Sequence, residues 1–92
     1  MDVKKIASAL SSETRLKILK ILAKKELSSV DVYRGYIRIY NDKKHRESIY
    51  RDLEVLVTAE LLEKKYDSSS KQIIYHLKVK KITLDLTMDN LI

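Results

Sequence analysis

The sequence predicts an α+β fold, in which about four helices are followed by a β-hairpin and a C-terminal strand. Three observations carry this expectation. Apolar residues recur at spacings of three and four as far as about residue 60. From Leu61 the spacing changes to strict alternation, the period of a strand. Between the helical stretches lie cap and turn residues, Ser28 to Asp31 and Asn41-Asp42, where one helix should end and the next begin. With 92 residues the chain builds one small core and no deep cleft between lobes.

Val3, Ile6 and Leu10, behind Asp2 as a cap, make a short amphipathic helix. Ser11 or Ser12 caps a second, running to about Lys25. In it Leu16, Ile18, Leu19, Ile21, Leu22 and Ala23 cover more than one stripe, which predicts the central, most buried helix. The capping box Ser28 to Asp31 opens a third helix to about Tyr40, whose buried side is predicted to be Val30, Tyr33, Ile37 and Tyr40. Gly35 inside it weakens that helix by about 1 kcal/mol relative to alanine unless a close helix contact needs the missing side chain.

Asn41 and Asp42 form the next turn and can cap a fourth helix, Lys43 to Glu60, around which the chain is organised. Ile49, Leu53 and Leu56 form its apolar stripe. The other side begins basic, with Lys43, Lys44, Arg46 and Arg51, and carries Asp52, Glu54 and Glu60 toward the far end. That order opposes the helix dipole, which favours acids at the start and bases at the end. An anionic partner meeting the N-terminal half explains it. Two helices joined by a short polar turn, the second with a basic face, make a helix-turn-helix.

Leu62, Lys64 and Tyr66 then alternate with their neighbours, as do Ile73, Tyr75, Leu77 and Val79, and Asp67 to Lys71 form an exposed tip. Beyond it Ile82, Leu84 and Leu86 alternate on even numbers, so the apolar phase slips at Lys80 and Lys81, as a β-bulge or a separate strand would make it.

Composition narrows function. A formal net charge of +6 suits a polyanionic partner. The absence of cysteine removes disulfides, thiolate metal sites and cysteine nucleophiles. His45 and His76, the two histidines, are distant in sequence and weak support for a metal, so no metal and no cofactor is expected. No glycine-rich phosphate loop, nucleophile motif or paired-carboxylate pattern points to an enzyme. No run approaches a membrane span and the N-terminus lacks a signal-peptide stretch, so a cytoplasmic, nucleoid-associated protein is expected.

The order helix, helix, helix-turn-helix, hairpin resembles the winged helix-turn-helix fold. ALSSETRLKILKIL at Ala9 to Leu22 is similar to the opening signature of ArsR-like transcriptional regulators. HRESIYRDLEVLVTAELLEKKYD, Gln72 and IIYHL resemble that group's recognition helix, wing and closing Tyr-x-Leu, with RESIYRDLEVL particularly like small archaeal members. The resemblance covers about residues 1–78 and implies a homodimer that binds a two-half-site operator in double-stranded DNA, usually as a repressor. It places DNA contacts in the recognition helix and the wing. Many such regulators sense metals through cysteines, which this chain lacks.

On that basis Arg46, Ser48 and Arg51 are expected at base edges, Tyr50 at the boundary, and Lys43, Lys44 and His45 at phosphate. The wing would add Lys64, Lys65, Ser68, Ser69, Ser70 and Lys71, a salt-sensitive contribution with little sequence preference. The bland alternatives are a solvated basic helix face and a hairpin tip that merely connects strands. Arg15 is expected to pack or pair at the start of the second helix. Of the six tyrosines, Tyr33, Tyr40 and Tyr75 occupy core positions rather than stacking platforms, while Tyr36 and Tyr66 fit either. Residues 79–92 form a tail whose Ile82, Leu84 and Leu86, with Val3, Ile6 and Leu10 of the first helix, would make the dimer interface. The rival functions are a winged-helix module for protein contacts and a nonspecific DNA-packaging protein.

Overall fold

The computed structural model describes residues 2–78. In chain order they form α1 (Val3–Leu10), α2 (Glu13–Leu22), β1 (Leu27–Ser28), α3 (Ser29–Tyr40), α4 (Arg46–Thr58), β2 (Leu62–Asp67) and β3 (Gln72–Leu77). The expected strand at Ile82 to Leu86, the phase slip before it and the tail 79–92 lie outside the described residues.

Local chemistry sets most helix starts. The Asp2 carboxylate accepts from the Lys4 and Lys5 amides, Ser12 from Arg15 and Ser28 from Asp31, so three helices begin on a side-chain cap. Left-handed residues set two of the ends. Asn41 turns out of α3 at φ 49°, with its N–H on the Ile37 carbonyl. Glu60 does the same after α4 at φ 64°. There the Glu60 amide donates to Val57 and the Leu61 amide to Leu56, the paired bonds of a Schellman ending.

α4 crosses the centre of the core. Ile49, Leu53 and Leu56 are fully enclosed, and Ile6, Ala9, Ile18, Val32, Tyr36, Leu61 and Leu62 close around them. α2 was expected in that role, yet only Ile18, Ile21 and Leu22 are buried while Leu16 and Ala23 are exposed. Its apolar residues outnumber those that one face can present to neighbours. α2 also ends at Leu22, short of Lys25.

In α3 the buried face is Val32, Gly35 and Tyr36, not the predicted stripe. Val30 and Ile37 are half-buried, and Tyr33 and Tyr40 pack at the edge of the core. α3 is apolar around much of its circumference, so packing rather than periodicity chose its orientation. Gly35 is not required by a close contact: a Cβ there would lie 4.0 Å from Ile21 Cγ2, an ordinary van der Waals distance.

The sheet has three antiparallel strands in the order β1-β3-β2. β2 and β3 pair from Leu62 opposite Leu77 to Asp67 opposite Gln72, the expected hairpin. β1 was not foreseen. Its two residues pair Leu27 with Tyr75 and Ser28 with Ile74, tying the start of α3 to the hairpin. The base of the hairpin joins the core through Leu62 and Tyr75. Its outer half projects, so the cross-strand pair Tyr66 and Ile73 is exposed.

Candidate nucleic-acid interface

The interface is built around the N-terminal half of α4. This helix starts at Arg46, later than expected, and Lys43, Lys44 and His45 form an extended approach to it. Asp42 does not cap it. Its carboxylate instead accepts from the Tyr36 hydroxyl at 3.0 Å, an anchor that fixes the turn against α3. Burial pushes the Tyr36 phenol up, so it remains a donor. His45 occupies the cap position without a side-chain bond, leaving first-turn N–H groups of α4 open to an anion.

Around that start the cations are accessible. Lys43, His45, Arg46 and Arg51 are exposed, and Ser48 is half-buried beside them. Lys43, Arg46 and Arg51 form no ion pair among the described residues. The Arg46 guanidinium lies over the Tyr33 ring at 5.5 Å, a contact that restrains a side chain which remains exposed. Lys44 is partly neutralised by Asp42 at 3.9 Å. Tyr50 packs against the core with one edge exposed.

Arg15 locks this helix in place. It donates to the Ala9 carbonyl at 2.8 Å, the Ser8 carbonyl at 3.1 Å and the Asp52 carboxylate at 3.0 Å. One half-buried guanidinium thus closes the end of α1 and fixes α4 against α2, the structural role expected for it. On the far side, Glu54 of α4 accepts from Lys64 at 2.8 Å and from the Tyr75 hydroxyl at 2.7 Å. Those two bonds, Lys64 first, hold the Glu54 carboxyl below its ordinary range. Burial and then Glu54 push the Tyr75 phenol up. The hairpin base is thereby fixed to the helix.

At the wing several of the expected cations and hydroxyls have partners within the fold. Lys64 is paired with Glu54, and Lys65 with Glu26 at 3.1 Å. Ser69 and Ser70 donate their hydroxyls to Asp67 at 2.9 and 2.7 Å, folding the tip on itself. These bonds hold the Asp67 carboxyl below its ordinary range and leave an anion at the tip. Their cause is short-range turn geometry. Ser68 and Lys71 remain uncommitted among the described residues, and Lys71 is in the left-handed region at φ 57°.

The dimer candidates divide too. Ile6 is buried in its own core, whereas Val3 and Leu10 are half-buried. Ile82, Leu84 and Leu86 lie outside the described residues. His76 approaches Glu63 at 3.2 Å, far in sequence from His45. Among the described residues, no cluster of three His, Asp or Glu side chains could hold a metal, and no helix is long and apolar enough to cross a membrane.

Three residues near the interface were not anticipated. Lys4 and Lys5 of α1 line a shallow cleft with Arg51, extending the cationic surface across to the first helix. Glu47 is exposed in the first turn of α4, where a carboxylate favours the dipole and can accept from a base amino group. The Lys4-Lys5 pair carried no signal, because its place beside Arg51 depends on packing between distant segments.

No protein-family model matches the chain, and no curated protein matches it. Among solved structures it is similar to a solution NMR structure from Mycobacterium bovis, described as the homodimeric winged helix-turn-helix DNA-binding domain (fragment 1–100) of a possible ArsR-family transcriptional regulator. The TM-score is 0.70 at 19% identity, over 85% of this chain and 65% of that one. The chain therefore spans just under two thirds of that domain. The likeness establishes the fold as a winged helix-turn-helix, with α3 and α4 as the two helices and β2–β3 as the wing.

Proposed function

We propose, with the winged helix-turn-helix fold as premise, that this chain is a sequence-specific regulator of transcription that binds double-stranded DNA. The observation that carries the proposal is the division of labour along α4. Ile49, Leu53 and Leu56 are enclosed, while Lys43, Arg46 and Arg51 stay exposed and unneutralised around its start. A major groove admits a helix, and arginine reads guanine through two bonds. In this assignment Arg46, Ser48 and Arg51 meet base edges and Tyr50 sits at the boundary. Lys43, Lys44, His45 and the open first-turn amides meet phosphate, joined by Lys4 and Lys5. The wing contributes through Lys71 and Ser68.

The regulator acts as a homodimer on a two-fold symmetric operator, as a repressor, with two α4 helices in successive major grooves about 34 Å apart. The described neighbour is homodimeric, which supports this state. Residues 1–78 are the DNA-binding domain in this proposal, and residues 79–92 join Val3 and Leu10 in the dimer contact, in an intracellular, nucleoid-associated protein. Selecting bound fragments from random duplex DNA tests the proposal. A symmetric consensus is expected, and equal recovery of all sequences would replace it with a packaging role. Deleting residues 82–92 should lower the solution mass from dimer to monomer; an unchanged dimer would take the tail out of the interface.

A further inference from the structure

α3 presents Tyr33 to Arg46 on its α4 side. Along its other flank a groove of about 930 Å³ runs between α3 and the C-terminal half of α2. Ile21 and Gly35 line its apolar part with Ile39, whose side chain is 52% exposed. Lys20, Lys24 and Arg38 line it as well, and none of the three is ion-paired among the described residues. The one acid there, Asp31, already faces Arg34 at 3.8 Å.

Gly35 gives the groove its depth. It is the chain's only glycine, it stands in a helix interior that glycine disfavours, and its φ is not positive. Gly35 is itself little exposed, and a Cβ added there would meet Ile21 Cγ2 at 4.0 Å, an ordinary contact that a small side chain could make.

We infer that this groove docks an acidic amphipathic helix of a partner protein. The α3 segment lining it, Asp31 to Tyr40, spans about 14 Å at 1.5 Å per residue, room for two to three turns. Arg34 and Arg38 are four residues apart on α3, the spacing of carboxylates at i and i+4 on a facing helix, and Lys20 at the end of α2 with Lys24 in the turn after it puts cations on the opposite edge. Apolar side chains at i, i+3 or i+4, and i+7 would lie over Ile21, Gly35 and Ile39. Duplex DNA fits less well, because the floor between the two cationic edges is apolar and offers nothing to base edges. This surface is separate from the α4 interface and does not depend on its assignment.

The test is selection of a phage-displayed library of 16-residue peptides on the full chain, followed by fluorescence anisotropy with the enriched peptides. Acid-rich sequences with helical apolar spacing are expected. Their binding should weaken at least ten-fold in Gly35→Leu, which fills the floor, and in Arg38→Glu. Arg38→Glu should keep the thermal unfolding midpoint; Gly35 is a buried position in a helix interior that glycine weakens, so where Gly35→Leu shifts the midpoint, Arg38→Glu and Lys24→Glu, both on the surface, decide. No enrichment, or equal binding to these variants, would overturn the inference. So would peptides that lose affinity in Arg51→Ala instead, which would place them on the α4 face. A ten-fold loss of duplex DNA affinity in Lys24→Glu or Arg38→Glu would make the groove a DNA contact and overturn it as well.

Discussion

The start of α4 and the tip of the hairpin are both rich in cations and hydroxyls, yet the fold treats them in opposite ways. At α4 the arginines are held from below, Arg46 by the Tyr33 face and the whole helix by Arg15 to Asp52, while their charge stays available. On the hairpin Lys64 and Lys65 are answered by Glu54 and Glu26, and Ser69 and Ser70 by Asp67. A cation counts toward binding by the charge the fold leaves unanswered, not by its presence on an exposed element. In the proposed assignment the helix reads and the wing holds position.

The largest expected effect breaks the support under α4. Leu53→Ala should cost about 2–5 kcal/mol of folding stability, measured by urea denaturation, because Leu53 is fully enclosed. The matching change on the wing, Ile73→Ala, should stay within about 0.5 kcal/mol of the parent. Equal losses at both positions would erase the distinction.

Next comes binding. Arg51→Ala should weaken selected duplex DNA by about 10–100-fold, or about 1–3 kcal/mol, and relax base preference. Uniform weakening on every sequence would move Arg51 from base edge to phosphate.

A smaller effect separates the lysines of the wing. Lys71→Ala should flatten the salt dependence of DNA affinity by about 0.9 in the log-log slope, as loss of one phosphate contact does. Lys64→Ala should leave that slope unchanged, since its ammonium is paired with Glu54. A slope that falls for Lys64 and not for Lys71 would reverse the picture.

The smallest effect concerns the joint between the two regions. The Glu54 carboxyl is depressed by Lys64 and Tyr75, so its contribution to stability is present above its unfolded value and disappears as pH falls through the lower folded value. Tyr75 is raised, so its share persists below the ordinary tyrosine range and is lost only on strong alkalinisation. Comparing Glu54→Gln with the parent from about pH 7 to about pH 3, across the ordinary glutamate value of about 4.3, should show a gap in unfolding midpoint that closes toward acid. A gap of constant size would mean that the carboxylate does not hold the joint.

Much of this was legible from residues whose partners are close in sequence. Asp2, Ser12 and Ser28 bond amides two or three positions away, so each cap could be read directly. The α4 stripe and the hairpin were also visible, the first as one apolar set and the second as alternation on either side of a polar tip. Other features were not. α3 offered more apolar residues than one face can bury, and the choice of Tyr36 over Ile37 fell to its neighbours. β1, with two residues, is a strand only because β3 lies beside it. Asp42 is bonded to Tyr36 rather than to the amides of α4, and the helix starts at Arg46, which no local signal announced.

For the candidate interface the same boundary applies. The order of elements, the basic start of α4 and the lack of thiol chemistry follow from composition and period alone, which are properties of consecutive residues. Which lysines are neutralised, that Lys4 and Lys5 stand beside Arg51, and that a groove opens over Gly35 depend on charges and surfaces brought together across tens of residues. Packing of the whole core sets those distances, and electrostatic neutralisation falls off with distance in space rather than along the chain.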